Sequence, residues 1–324
     1  MKAFITGISG FVGSHLAEYL LEETDCEVAG TAFGPLDNIA HLENRLQVYL
    51  AELSQLGVVS SILRSAKPDY IFHLAAQPLT SLSHKDPWYT LDTNIRMQLN
   101  ILEAVRQLEL PCRVLVVGSS EVYGLVRPDE LPGSEDNPFR PMNPYGVSKV
   151  AQDMLGLQYW LSHGLETVRV RPFNHIGPRQ RPGFVAPDFA KQVAEAEAGL
   201  RAPVIRVGSL EVARDFSDVR DVVRAYYLAV SRGEAGEVYN IGSGKARSIR
   251  SLLEGLLKLS TISLAYDEDA AQLRPVDVPS VQADCSRFQR QTGWTPEIPF
   301  EKSLLDILDY WRASVRAPRD TDLQ

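Results

Sequence analysis

Little in this chain marks it for a membrane, a metal or an oxidising environment. Three cysteines, Cys26, Cys112 and Cys285, are scattered, odd in number and without a C-x-x-C pair. That excludes a disulfide scaffold, and they read as reduced core thiols of a cytoplasmic protein. No Asn-x-Ser/Thr sequon occurs. The start, MKAFITG, enters a strand directly and reads as lacking a signal peptide. No apolar run approaches the ~20 residues that a membrane helix needs. The six histidines show no metal-ligand spacing. Positive charge is in deficit, 33 basic against 41 acidic residues for a net charge of −8, which argues against general binding to nucleic acid or anionic membranes. There is no internal repeat and no low-complexity segment.

What remains is an ordinary globular composition, 44% hydrophobic and 23% charged. The 324 residues suffice for one large domain or two intimate ones. Lys2 to Thr6 is a short apolar run, followed at once by Gly7-Ile8-Ser9-Gly10-Phe11-Val12-Gly13. Leu16, Ala17, Leu20 and Leu21 then take up helical spacing. Strand, glycine turn, helix is the context of a dinucleotide site, because glycines admit a pyrophosphate and the helix N-terminus offers free N–H groups. The spacing is G-x-x-G-x-x-G. The second strand, Glu27 to Ala32, ends in Thr31-Ala32-Phe33 with no carboxylate to hold a ribose 2′-hydroxyl. That favours NADP(H) and leaves NAD(H) possible; Arg45 is the nearest arginine downstream.

Further strands are expected at 69–76 and 113–117, with helices at 58–64 and 88–108, the last interrupted by Asn94 and Asn100. His73 reads as a packed strand residue. This alternation predicts an α/β fold with a doubly wound parallel sheet, whose ligands gather at the C-terminal ends of the strands. Gly118-Ser119-Ser120-Glu121 follows one such end. Pro144-Tyr145-Gly146-Val147-Ser148-Lys149 opens a helix that sets Tyr145 and Lys149 one turn apart on one face. A lysine cation lowers the pKa of a nearby phenol, ordinarily ~10, so the pair can move a proton in carbonyl–alcohol redox chemistry. Ser119 can donate a hydrogen bond to the same substrate oxygen. Alone, a Tyr-x-x-x-Lys spacing is a common accident; the glycine turn and Ser119 give it weight.

These blocks resemble the extended short-chain dehydrogenase/reductase family over nearly the whole chain. The resemblance runs from TGISGFVGSHL through HLAAQ, GSSEVYG, PYGVSK, VRPFNHIGP, ARDFSDVRDVV and YNIGSG to LRPVDVP. It implies catalysis by Ser119, Tyr145 and Lys149, and a pyrophosphate cradle of Gly7, Gly10, Phe11, Val12 and Gly13. It also implies adenine contacts from Glu52-Leu53 and a cofactor-lining strand end at Ala75 and Ala76. The later blocks are similar to the nucleotide-sugar branch, above all to its reductases of GDP-4-dehydro-6-deoxy-D-mannose, which make GDP-D-rhamnose. They imply substrate contacts from Ser120, Asn174, Arg179, Arg214 and Arg274; without the family blocks, the arginines read as surface ion pairs. The basic loop 177–183 fits a mobile cover over a charged substrate, or equally a solvated surface loop.

Glu121 occupies the place of a proton-abstracting base in dehydratases, which keeps a GDP-mannose 4,6-dehydratase as the alternative. The Gly-Gln-Asp-Gly turn and the arginine pair after the second strand that mark that enzyme are missing here. A nucleotide-sugar 4-epimerase comes third, and a non-catalytic nucleotide-binding protein is the reading of a different class. The expected division is 1–171 plus about 215–241 for the dinucleotide, about 172–214 plus 242–315 for a smaller α/β substrate domain, and a tail at 316–324. A homodimer through helices near 86–109 and 141–163 is implied by the resemblance.

Overall fold

A computed structural model describes residues 1–269 and 278–316. Seven parallel strands form the main sheet: β1 (Lys2–Thr6), β2 (Glu27–Ala32), β3 (Leu46–Leu50), β4 (Tyr70–His73), β5 (Arg113–Val117), β6 (Thr167–Pro172) and, later in the chain, β10 (Val238–Ile241). Their order is β10-β6-β5-β4-β1-β2-β3. The order reverses between β1 and β4, a switch point of the kind that opens a crevice at the strand ends. Both faces of the sheet are covered, which is why its inner strands read as continuous apolar runs.

The period of two sorts the strand residues between the faces. Ala3 and Ile5 pack with α1 (Phe11–Glu23) and α7 (Val219–Arg232). Phe4, Ile71, Val114 and Val116 pack with α2 (Leu56–Ala66), α4 (Pro87–Gln107) and α5 (Pro144–His163). Between α2 and α4 lies the short helix α3 (Thr80–Lys85). The other strands are β7 (Asn174–Ile176), β8 (Val204–Val207), β9 (Ala213–Asp218), β11 (Ala246–Ser248) and β12 (Ala265–Glu268). They form a three-stranded sheet, β11-β9-β7, and a β12-β8 pair. A separate apolar cluster joins β7, β8 and β9 to α6 (Val185–Glu197), α8 (Ile249–Leu259) and α10 (Phe300–Arg316). The short α9 (Ser286–Thr292) returns to the main sheet, with Phe288 buried against Tyr239.

The helix that carries Tyr145 is fixed at both ends by its sequence. Asn143 caps its start by accepting the Gly146 N–H at 2.7 Å, Pro144 occupies the first turn, and Gly164 ends it at φ 68°. Beneath it, Asp153 is fully buried and accepts from Arg169 at 2.7 Å and Arg171 at 2.8 Å. Two arginines in a buried strand are tolerated because this carboxylate and the carbonyls of Gly236 and Glu135 take most of their N–H groups, Arg169 Nε being left without a partner among the described residues. Asn94 and Asn100 are not interruptions of α4 but its cross-links. Asn94 bonds the backbone of Gln77 on one side and donates to Ser148 Oγ of α5 at 2.9 Å on the other. Asn100 donates to Leu53 O at 2.8 Å.

Among the described residues, no helix is long and apolar enough to cross a membrane. All three cysteines are free and buried. The expected domain boundary at 215 falls inside β9, and the chain re-enters the main-sheet layers at α7.

Candidate active site

Gly7 leaves β1 at φ +70°, a conformation that disfavours a side chain, and a Cβ there would press on the backbone of Ala75 at 3.2 Å. A Cβ at Gly13 would lie 2.2 Å from Gly7 O, so only glycine lets α1 start this close to the strand. Gly10 is the N-cap of α1 and brings no side chain to it, and the first turn holds no acidic residue. The result is a cradle without side chains beneath an uncapped helix start, which fits the pyrophosphate of a dinucleotide. Phe11 and Val12 supply the next two backbone N–H groups. Ala75 bonds through its N–H to Thr6 Oγ1 at 3.0 Å, and Ala76 follows it past the end of β4.

Glu52 and Leu53 sit just past the end of β3, Glu52 exposed and Leu53 buried. The end of β2 presents buried Ala32 and an exposed Phe33. Arg45 is remote from that end, for it donates to Leu21 O.

Ser119 lies two residues beyond β5 and is nearly buried; its Oγ accepts the Glu121 N–H at 3.2 Å. Tyr145 is partly buried. Burial pushes its phenol well above the usual value, the Ser119 hydroxyl beside it pulls it back, and the Glu121 charge adds to the rise. Lys149 lies one turn on, with Nζ 5.7 Å from the centre of the Tyr145 ring and donating to Val117 O at 2.9 Å. Its burial pushes the ammonium down to about 7. The structure therefore brings Ser119, Tyr145 and Lys149 together at one sheet edge, with Glu121 and Ser120 on the adjoining turn. A phenol that keeps its proton, next to a lysine that changes charge near neutrality, can deliver a proton to a substrate oxygen.

His73 is buried in β4, as expected of a packed residue. Thr6 Oγ1 accepts from the N–H groups of Leu74 and Ala75, which leaves its one hydrogen for His73 Nδ1 at 2.9 Å. Burial, aided by the Lys149 charge, lowers His73 to about 3 and holds it neutral.

On the substrate side, Asn174 is exposed at the start of β7. Arg214 is on β9 and donates to the carbonyls of Ala213 and Val278, each at 2.8 Å. Its neighbour Asp215 does not pair with it. That carboxylate is buried and accepts from Ser243, Gly244 and Ala283. Arg274 lies outside the described residues.

Arg179, which the resemblance implies as a substrate contact, is tied here to the cofactor helix. It clamps Glu18 on α1 through two contacts, 2.6 and 2.5 Å, and also donates to His15 Nδ1 at 2.7 Å and to Asn38 O at 3.2 Å. His15 Nε2 meets Pro178 O at 3.0 Å, and Gln180 donates to His175 O. The loop is bolted to the cofactor helix because its arginine finds a carboxylate 161 residues away, a pairing that no local pattern could reveal. Burial, then the Arg179 charge, lowers His15 to about 4. Phe11 packs its ring parallel to that of His175 at 6.0 Å, a second tie between the glycine turn and β7.

The family model for GDP-mannose 4,6 dehydratase matches residues 4–307. The GDP-6-deoxy-D-mannose reductase of Pseudomonas aeruginosa is 38% identical over 97% of this chain and 98% of its own. The GDP-mannose 4,6-dehydratase of Yersinia enterocolitica is 28% identical, over 95% and 92%. The structure of RMD from Pseudomonas aeruginosa complexed with NADPH superimposes with a TM-score of 0.86 at 36% identity, covering 97% of this chain and 99% of that one. UDP-glucose 4-epimerase of Thermotoga maritima with UDP-glucose gives 0.87 at 26% identity, over 98% and 100%. With the glycine cradle, the Ser-Tyr-Lys edge and these full-length matches in agreement, the chain belongs to the GDP-mannose 4,6-dehydratase family of extended short-chain dehydrogenases/reductases.

Proposed function

We propose that this protein reduces the 4-keto group of GDP-4-dehydro-6-deoxy-D-mannose with NADPH, giving GDP-D-rhamnose. The observation that carries the reading is the partly buried Tyr145 phenol, set beside Ser119 at the same sheet edge as the uncapped start of α1. The 38% identity to the Pseudomonas reductase, against 28% to the Yersinia dehydratase, supports the substrate and the direction. When bound at the glycine turn, NADPH would supply the hydride for C4. Tyr145 gives its proton to the oxygen that becomes the hydroxyl, and Ser119 hydrogen-bonds that oxygen as charge develops on it. Lys149 stabilises the phenolate that remains. Gly7, Gly10, Phe11, Val12 and Gly13 hold the pyrophosphate, and Glu52, Leu53, Ala75 and Ala76 border the nucleoside. The lack of a carboxylate after Thr31 supports a 2′-phosphate there, with NADH a weaker donor. Ser120, Asn174 and Arg214 meet the sugar diphosphate.

The two-part division of the chain supports a substrate seat between the main sheet and the smaller layers. A homodimer is supported by apolar side chains left on the outer faces of α4 and α5: Trp88 is 79% exposed and Leu161 71%, with Tyr89, Leu99 and Met154 between. Three free, buried thiols support a cytoplasmic location.

A paired assay tests the reading. One arm supplies NADPH and the 4-keto sugar nucleotide, the other GDP-mannose and NADP, with products identified by NMR. Nicotinamide oxidation in the first arm alone supports the reductase. Net formation of a 4-keto sugar in the second refutes it and turns the reading to a dehydratase with Glu121 as base. Tyr145→Phe is expected to lower kcat by at least ~100-fold while NADPH binding is kept.

A further inference from the structure

The turn that carries Ser119 and the helix that carries Tyr145 meet at Glu121. Its carboxylate Oε2 accepts from Asn143 Nδ2 at 2.8 Å. The other end of the same amide, Asn143 Oδ1, caps α5 through the Gly146 N–H. Only this orientation of the amide serves both contacts, because the reverse would set oxygen against carboxylate and NH2 against N–H. The backbone of Glu121 adds two contacts. Its N–H donates to Ser119 Oγ, and its carbonyl sits where a Cβ on residue 146 would come within 2.8 Å. One residue thus touches Ser119, Asn143 and Gly146, and Tyr145 lies inside the single turn that they bound.

We propose that Glu121 is a positioning residue, which holds the Tyr145 phenol against the Ser119 hydroxyl by bracing the Asn143 cap. The proposal rests on the 4-keto reduction read above and gives Glu121 a task that a reductase needs. Loss of a cap frays the first turn of a helix, and Tyr145 is the second residue of α5. Lys149 lies beyond that turn and has its own anchor on Val117 O. Ser148 is likewise tied, to Asn94 and to Tyr145 O. Removing the brace therefore loosens the proton donor and leaves the cofactor side in place. The signature is a fall in kcat without a fall in NADPH affinity.

The test is a double-mutant cycle of Glu121→Ala and Asn143→Ala, with Glu121→Gln as the rescue. Rates are taken with NADPH and GDP-4-dehydro-6-deoxy-D-mannose, and NADPH Kd by fluorescence. Each single alanine variant is expected to lose about tenfold or more in kcat, with NADPH Kd within about twofold. The double variant is expected to be no worse than the weaker single. Glutamine can still accept from Asn143 and is expected to recover most of what alanine loses. Additive losses overturn the proposal, and so does a Glu121→Gln variant as slow as Glu121→Ala, which would make the charge itself the working group. If the wild-type protein does not turn over this ketone, the functional reading fails on its own. The brace is then read from thermal melting of the same variants: equal, non-additive losses uphold it and additive losses sink it.

Discussion

Replacing Lys149 by methionine should make the cofactor-free protein more stable while removing its activity. The ammonium is buried, its pKa is displaced from 10.5 to about 7 by burial, and no charge among the described residues offsets that displacement. At ~1.4 kcal/mol per unit, keeping Lys149 charged in the free protein costs on the order of 5 kcal/mol, and at pH 7 roughly 4. Methionine keeps most of the stem's packing but gives up the bond to Val117 O, a loss of about 1–2 kcal/mol. The net gain at pH 7 is then roughly 2–3 kcal/mol, several degrees in Tm.

The sign with pH is fixed. The folded pKa lies below the unfolded one, so between about pH 7 and 10.5 the unfolded chain binds the extra proton. The cost is fully present below that window and fades as pH rises through it, by at most ~1.4 kcal/mol per unit. Calorimetry of both cofactor-free proteins at pH 6.5, 8 and 9.5 reads this directly. A variant that melts below the wild type at pH 7, or a gap that stays constant up to pH 9.5, would refute the reasoning. Saturating NADP should narrow the gap, because only the wild type offers the ammonium to the bound cofactor.

Three further perturbations follow from the same geometry. Gly13→Ala puts a Cβ on Gly7 O and should cost about 1–3 kcal/mol, together with a loss of at least ~10-fold in NADPH affinity, measured by fluorescence titration. His15 has its folded value lowered from 6.5 to about 4, so it contributes stability that is present above pH 6.5 and lost as pH falls through 4. His15→Gln should flatten the acid side of the urea-stability profile in that window, and an unchanged slope would exclude His15 as its source. Arg179→Ala leaves Glu18 without its guanidinium and should cost about 1–3 kcal/mol in urea unfolding, with Arg179→Lys restoring little because a single ammonium cannot reproduce the fork.

The cofactor half was legible because its signals are local. Strand, glycine turn and helix are contiguous in residues 2–21, and Tyr145 and Lys149 share one face of one helix. The half-exposed edge strand β3 carries no such signal, since LQVYL is neither a buried run nor a clean alternation. β6 was obscured by Arg169 and Arg171, whose burial depends on Asp153 from a neighbouring helix. Asn94 looked like a flaw in α4 because its partners, Gln77 and Ser148, lie 17 and 54 residues away. The tie of Arg179 is hidden for the same reason: the carboxylate that pairs with it comes from α1. Wherever polar residues did not fit a local pattern, the missing partner lay in another element.

The Arg179 clamp also bears on how binding is distributed between enthalpy and entropy. A loop beside a ligand site normally surrenders its freedom when the ligand arrives, and the affinity is reduced accordingly. Here the segment from Pro178 to Gln180 surrenders that freedom when the chain folds, through Glu18, His15 and His175. Folding has already met the ordering cost, so a ligand seated against this loop finds it preorganised. In an Arg179→Ala protein the same cost returns to the binding step, as a less favourable binding entropy with the contact enthalpy nearly unchanged.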